Sequence, residues 1–390
     1  MRKRLAIIST HPIQYNAPLF EMLEARGKIE IKVFYTWGEE VLQKKYDPGF
    51  NKTIEWDIPL LEGYECMFVK NVAKNKGSHH FKGIDNPTLI QEIVQWKADA
   101  LMVYGWCFKS HLKLLRYFHN RIPVMFRGDS TLLNEPSALK KIARKFFLKW
   151  VYSKVNFALY VGSRNKEYYQ AWGLKPEELV FAPHAIDNNR FMFPDALFNE
   201  QAFLKRKELG IATGALVFLF AGKLDDNKNV QLLLDAFIDL NNAAIHLLIA
   251  GNGVAEKTLQ STAAGKTNVH FLPFQNQQFM PVLYRVGTVL VLPSLTETWG
   301  LAVNEAMACS RPVLMSDSCG AATDLVKEGK NGYTFSSGSK ASLIQKMQQI
   351  LDHHEQLEDW GKVSLEIIKD WNYAVTCEVI ESIVKRASTN

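Results

Sequence analysis

The chain has 390 residues, 47% of them hydrophobic and 22% charged, with five cysteines and a formal net charge of +6. That length calls for two or three domains of ~150 residues, and the composition excludes a disordered chain, a collagen and a disulfide-framed miniprotein. No apolar run approaches the ~18 residues of a membrane-spanning helix, and the cysteines at 66, 107, 309, 319 and 377, odd in number and without CxxC spacing, read as reduced thiols of a cytoplasmic protein.

Met1-Arg2-Lys3-Arg4 ahead of Leu5-Ala6-Ile7-Ile8 mimics the start of a signal peptide. The apolar stretch stops at Ser9-Thr10-His11-Pro12, so the prediction is a first strand over 4–9. Strands are predicted at 30–35, 99–104, 122–126, 156–161 and 179–182, with amphipathic stretches of helical period between them. Residues 101–154 carry 11 basic and two acidic side chains, Asp129 and Glu135. Such a field can attract an anionic lipid or a phosphorylated ligand; nucleic acid is not expected, because no binding motif accompanies the charge. The basic, aromatic-rich stretch 138–154 is either an amphipathic helix packed on the first sheet or a helix at an anionic membrane surface. Loop signals between Pro183 and Gly210, including Pro194, mark a domain boundary. The first half, 1–200, carries a net +8 and the second half −2.

A second series of strands follows at 215–221, 244–250, 268–272, 287–292 and 312–316, and the chain closes on an amphipathic helix from Asp370. The expected fold class is α/β, with two Rossmann-like parallel-sheet domains facing each other across a cleft. The expected domains are a first at 1–195, a second at 196–370, and a helix at 371–390 packing back on the first.

Ligands of open parallel sheets bind beyond the carboxyl ends of the strands. After the strand ending at 292 comes Ser294-Leu-Thr-Glu297-Thr-Trp299-Gly300-Leu301-Ala-Val-Asn-Glu305. Gly300 marks a loop-to-helix transition whose first N–H groups are free to hold a phosphate. Glu305, four residues after Leu301, shares that helix face and can accept two hydrogen bonds from a vicinal diol, while Glu297 can accept from a sugar. Both glutamates also read as ordinary surface or dipole-complementing acids. After the strand ending at 221 comes Gly222-Lys223-Leu-Asp-Asp-Asn-Lys228-Asn229. A lysine at a helix start opposes the macrodipole, so Lys228 calls for an external anion, within reach of Lys223 as well. Solvated loop lysines beside Asp225 and Asp226 are the plainer reading.

Gly222-Lys223 with Lys228-Asn229, then Gly251-Asn252-Gly253, then Glu297-x7-Glu305, together with Arg311-Pro312-Val313 and Asn331-Gly332, resemble the retaining glycosyltransferases of family 4, which have the GT-B fold. The resemblance is strong over 215–335 and weaker but continuous before that. It implies that Gly222, Lys223 and Lys228 hold a donor diphosphate and that Glu305 holds the ribose. It further implies that Glu297, with the backbone of Trp299, Gly300 and Leu301, holds the transferred sugar and distal phosphate. Gly253 and Phe274 fall where the family contacts nucleoside and base. The implied reaction moves a hexose from a nucleotide-diphosphate donor, a UDP-sugar, to a hydroxyl of a glycan, lipid-linked or small-molecule acceptor with retention. It implies no metal and no cofactor beyond the nucleotide-sugar co-substrate. The first domain departs from the family: Ser9-Thr10-His11-Pro12 stands in place of a glycine-rich loop, and Asp129 of Arg127-Gly128-Asp129 in place of a histidine. His11 and Asp129 remain acceptor-side candidates by strand-end position. His79-His80 and His353-His354 read as surface residues. The alternative of another class is a non-catalytic nucleotide-sugar-binding or scaffold protein; a dinucleotide dehydrogenase is disfavoured because neither sheet opens with G-x-G-x-x-G. The expected location is cytoplasmic, peripheral to the inner face of a membrane if the 138–154 helix binds lipid.

Overall fold

The computed structural model of the protein describes residues 2–42, 45–47, 49–133, 138–193 and 196–386. Pro194, Glu135 and the last four residues of the predicted C-terminal segment lie outside them. In chain order the strands are β1 (Arg4–Ser9), β2 (Glu30–Tyr35), β3 (Lys45–Asp47), β4 (Lys52–Ile54), β5 (Glu65–Phe68), β6 (Ala100–Tyr104), β7 (Val124–Arg127), β8 (Phe157–Tyr160) and β9 (Leu179–Phe181). There follow β10 (Leu216–Ala221), β11 (Ile245–Ala250), β12 (Val269–Leu272), β13 (Val289–Leu292), β14 (Val313–Ser316) and β15 (Gly332–Phe335).

Two parallel sheets result. The first runs β5-β2-β1-β6-β7-β8-β9 and the second β12-β11-β10-β13-β14-β15; β3 and β4 form a separate pair. Both sheets follow the doubly wound order, in which the chain starts in the middle, grows one way and then reverses. The reversal leaves a crevice at the carboxyl ends of β1 and β6 in the first sheet and of β10 and β13 in the second. Strands covered on both faces read as unbroken apolar runs, and Leu216–Ala221 is buried at every position.

The chain divides into two units: Met1–Lys45 with Pro59–Pro183 and Tyr373–Asn390, and Tyr46–Ile58 with His184–Asn372. In the first unit Ala6, Ile8, Leu101, Val103, Val124 and Phe126 face a core completed by helical Leu115, Leu148, Val151 and Tyr168. The closing helix Tyr373–Arg386 buries Cys377, Ile380 and Val384 and packs on the helix Ala17–Ala25. Burial alone would raise the Glu381 carboxyl on that helix, but hydrogen bonds from Arg26 (2.6 Å) and Lys28 hold it below the usual carboxylate range. In the second unit Phe218, Phe220, Leu247, Ile249, Val289, Val291 and Leu314 meet Leu233, Leu234, Phe237, Leu343 and Met347 from the covering helices.

The basic stretch forms the helix Ala138–Tyr152. It is packed on the first sheet's core, but through Leu148, Val151 and Tyr152; Phe146, Phe147 and Trp150 are 71%, 41% and 39% exposed. The aromatic side chains expected inside a packed helix therefore lie mostly outside it.

Candidate active site

The carboxyl ends of β10 and β13 bring the two sequence motifs of the second unit together. The loop after β10 is laced to the loop after β13: Leu295 N donates to Asn227 O at 2.8 Å, Asn227 Nδ2 to Thr296 O at 2.8 Å, and Thr296 Oγ1 to Asn227 Oδ1 at 3.1 Å. Asp225 Oδ1 accepts from the Lys228 backbone N–H at 2.9 Å, and Asn229 enters the helix Val230–Leu240 in a left-handed conformation. Lys228 therefore lies ahead of the helix instead of within its first turn. Its ammonium pairs with Glu297 Oε2, the two side chains being 21% and 19% exposed. The sequence called for an external anion at Lys228; the chain itself supplies a counter-charge there, on Glu297.

Glu297 is held from several sides. Ser294 Oγ donates to Glu297 Oε2 at 3.4 Å, Glu297 N to Ser318 O at 3.0 Å, and Gly320 N to Glu297 O at 2.9 Å. Gly320 admits this crossing because a Cβ there would stand 1.9 Å from Thr298 O. Gly300 then takes φ +100°, a conformation that side chains rarely adopt, and caps the helix Leu301–Ala308. The opening N–H groups of that helix point to the same edge of the sheet. Trp299 is buried, stacked on Trp371 at 4.9 Å, and donates Nε1–H to Asn304 Oδ1 at 2.9 Å; Asn304 Nδ2 donates to His184 O at 2.8 Å. Glu305 is 2% exposed and accepts the Tyr284 hydroxyl at 2.6 Å.

The β10–β11 ladder continues past the strands, with Gly222 beside Gly251 and Leu224 beside Gly253. Leu224 N donates to Asn252 O at 3.0 Å, and a Cβ on Gly253 would stand 2.3 Å from Leu224 O. Asn252 Oδ1 accepts the Phe274 N–H at 2.7 Å, fixing the turn after β12. Phe274 meets Phe50 edge-on at 4.9 Å and Trp56 at 6.2 Å, while Lys223 Nζ lies 5.0 Å from the Phe50 ring centre. Asn276 Nδ2 donates to Glu55 O at 2.6 Å, and Gln278 Nε2 to Asp57 O at 2.6 Å. The excursion Tyr46–Ile58 thus seats aromatic rings against Lys223 and Phe274, which no local sequence pattern announced. Tyr284 and Gly320 were also missed, and Ser294, quoted at the head of its motif, was given no role.

The first unit's candidates occupy strand ends. His11 follows β1, with Nδ1 2.8 Å from Thr10 Oγ1 and its ring edge-to-face with Trp37 at 5.4 Å. Asp129 follows β7, beyond buried Arg127, whose Nη1 and Nη2 donate to Ala182 O and Pro183 O at 2.9 Å each. β6 stands between their strands, so the two do not share one strand junction. His111, which the sequence reading passed over, closes the crevice of this sheet. Its Nδ1 reaches Gly105 O at 2.9 Å and its Nε2 Thr36 Oγ1 at 2.9 Å, and burial pushes it down to about 4. The neutral ring donates Nδ1–H to the carbonyl and accepts the Thr36 hydroxyl.

Among the described residues no group of three or more His, Cys, Asp or Glu side chains is arranged to hold a metal ion, and no helix is long and apolar enough to cross a membrane.

Residues 202–365 match the family described as Glycosyl transferases group 1. The chain is similar to a D-inositol 3-phosphate glycosyltransferase of Geodermatophilus obscurus, 28% identical over 200 residues that cover 48% of this chain and 43% of that protein. It is also similar to the sulfoquinovosyl transferase SQD2 of Arabidopsis thaliana, 26% identical over 309 residues, 75% of this chain and 58% of the relative. The chain spans about half the length of these curated relatives. Among solved structures it resembles Anabaena Alr3699/HepE in complex with UDP and glucose, with a TM-score of 0.72 at 15% identity over 98% of this chain and 100% of that one.

Proposed function

We propose, from a glycosyl transferases group 1 domain at residues 202–365 in a chain of GT-B fold, that the protein transfers a sugar from a nucleotide-diphosphate donor to an acceptor hydroxyl with retention. The observation that carries this reading is the meeting of Lys228, Glu297 and the Gly300-capped helix at the crevice of the second sheet. A departing diphosphate gathers negative charge as the bond to the anomeric carbon breaks. Lys223, Lys228 and the helix N–H groups are fixed donors aimed at that charge, so they act on the transition state more than on the bound substrate. These cations do the work a metal ion does elsewhere, and the proposed reaction is metal-independent. Glu305 accepts from the ribose hydroxyls and Glu297 from the transferred sugar, while Phe274 and Gly253 lie on the base and nucleoside side. On binding, the diphosphate takes over Lys228 and releases Glu297 to the sugar. A UDP-sugar is the proposed donor, supported by the structural neighbour solved with UDP and glucose.

His11 and Asp129 are the proposed acceptor-side groups. The acceptor is proposed to be a glycan or lipid-linked hydroxyl, reached with Phe146, Phe147 and Trp150 at an anionic membrane surface. The test is release of UDP from UDP-sugars in the presence and absence of EDTA. Turnover unaffected by the chelator is expected. Tight UDP binding without turnover on any donor and acceptor would instead indicate a binding protein, and strict need of a divalent ion would contradict the role given to the lysines.

A further inference from the structure

A second cavity lies at the other edge of the second sheet, where the chain enters the strands. Its volume is about 450 Å³, and its walls include Asn199, Arg206, Lys207, Thr213, Arg285 and Arg311. Arg311 stands two residues before β14, Arg285 four before β13, and Arg206 Nη1 donates at 3.1 Å to Ala215 O, just before β10. Strands of this length span roughly 13–20 Å, so the cavity is separate from the candidate active site at the carboxyl edge.

Three guanidiniums and an ammonium meet there, and among the described residues no carboxylate lines the wall. Among the described residues none of the four is in an ion pair. Neutral acceptors fix two of the guanidiniums. Arg206 also donates to Val286 O at 2.9 Å and Thr288 Oγ1 at 3.2 Å; Arg285 donates to Pro281 O at 2.9 Å, Phe191 O at 2.8 Å and Phe193 O at 2.9 Å. Arg311 donates through Nε to Cys309 O at 3.1 Å, and its two terminal nitrogens make no hydrogen bond with the described residues. The adjacent Cys309 thiol supplies no anion, since burial pushes it up to about 12. Burial, then Arg285 and Arg206, hold the Arg311 guanidinium below its ordinary value. Arginine stays charged across the physiological range, so the cluster is a standing concentration of positive charge in a half-enclosed space. A doubly charged anion relieves that repulsion and fits the forked donors of arginine.

We infer that this cavity binds a phosphorylated small molecule, its phosphate on the terminal nitrogens of Arg311 with Arg206, Arg285 and Lys207 around it. The volume exceeds that of a bare phosphate and suits a phosphomonoester with an organic part, which Thr213 and Asn199 can hydrogen-bond. Phe193, Leu197, Phe203 and Leu204 are exposed on the neighbouring segment. The same phosphomonoester chemistry can therefore come from a soluble metabolite or from a lipid headgroup.

The test titrates the intact chain with inorganic phosphate and with glycerol 3-phosphate by calorimetry at low salt. Wild type is expected to take up one phosphate group. Arg311→Met should weaken it about tenfold or more, the scale of one charged hydrogen bond, and Lys207→Ala severalfold, while Lys223→Ala with Lys228→Ala leaves it unchanged. Lys207 is exposed, so its variant keeps the test open if Arg311→Met fails to fold. Flotation with phosphatidic acid vesicles, scored against phosphatidylglycerol vesicles of the same charge, identifies the source: an excess on phosphatidic acid that Arg311→Met abolishes assigns the phosphate to lipid, and no such excess assigns it to a soluble metabolite. No uptake by wild type, uptake untouched by both cavity variants, or uptake lost with the two active-site lysines would overturn the inference.

Discussion

Removing the Lys228 ammonium should do two things at once. It takes a cation from the developing diphosphate, and it leaves the Glu297 carboxylate beside those phosphates without its counter-charge. Both side chains are about four-fifths covered, at 21% and 19% exposure, so solvent screens them less than a surface pair. At an effective dielectric constant of ~20, two unit charges ~4 Å apart interact by ~4 kcal/mol. Loss of one positioned electrostatic contact typically lowers kcat by ~10²–10³, equivalent to ~2.7–4 kcal/mol. Lys228→Ala is expected in that range, and Glu297→Ala is expected to lower kcat similarly while free UDP still binds. If the two side chains work as one unit, the double variant loses about as much as the worse single one, well short of the ~10⁴–10⁶ that independent effects would multiply to. The assay is steady-state UDP release at saturating UDP-glucose for the four proteins, with UDP affinity measured alongside. Wild-type turnover in Lys228→Ala would show that its ammonium does not stabilise the leaving diphosphate, and fully multiplicative losses would show that Lys228 and Glu297 act independently.

Three further outcomes are expected. His111 is neutral in the fold down to about 4, against an ordinary value of 6.5, so the unfolded chain binds a proton that the folded chain refuses. Stability therefore falls as pH drops from 6.5 towards 4, by up to about 3 kcal/mol from this group, and urea unfolding of His111→Gln should show a flatter pH profile than wild type. Gly320→Ala places a Cβ 1.9 Å from Thr298 O; it should cost about 1–3 kcal/mol, read by thermal melting, and a melt equal to wild type would show the crossing to be loose. With Phe146, Phe147 and Trp150 exposed, the chain should float with anionic vesicles, each basic residue near the surface contributing ~1 kcal/mol, and float less as salt rises. Equal behaviour on neutral vesicles would remove the membrane from the account.

The strands at the centre of each sheet were legible because burial on both faces writes them as unbroken apolar runs: Leu216–Ala221 begins one residue after its predicted start. The unread strands carry no such run. β5 is Glu-Cys-Met-Phe and β15 is Gly-Tyr-Thr-Phe, both at sheet edges, where short half-polar strands protect the sheet from further pairing. Gly300 as a helix cap was readable from local chemistry. The Lys228–Glu297 pair, the Tyr284 hydroxyl on Glu305 and the Phe50 ring on Phe274 join residues 69, 21 and 224 positions apart, and only the folded topology brings such partners together. The same topology gives Lys228 an internal counter-charge in Glu297.

Binding of UDP alone probes the donor site, because it needs neither the sugar nor the acceptor. Glu305, on the Gly300-capped helix, is proposed to hold the ribose of the nucleoside diphosphate. In calorimetric titration with UDP, wild type should bind one equivalent, Glu305→Ala should bind at least about tenfold more weakly, and Arg311→Met should bind as wild type does. A wild-type chain that takes up no UDP, or a Glu305→Ala variant that binds it just as tightly, would contradict the account.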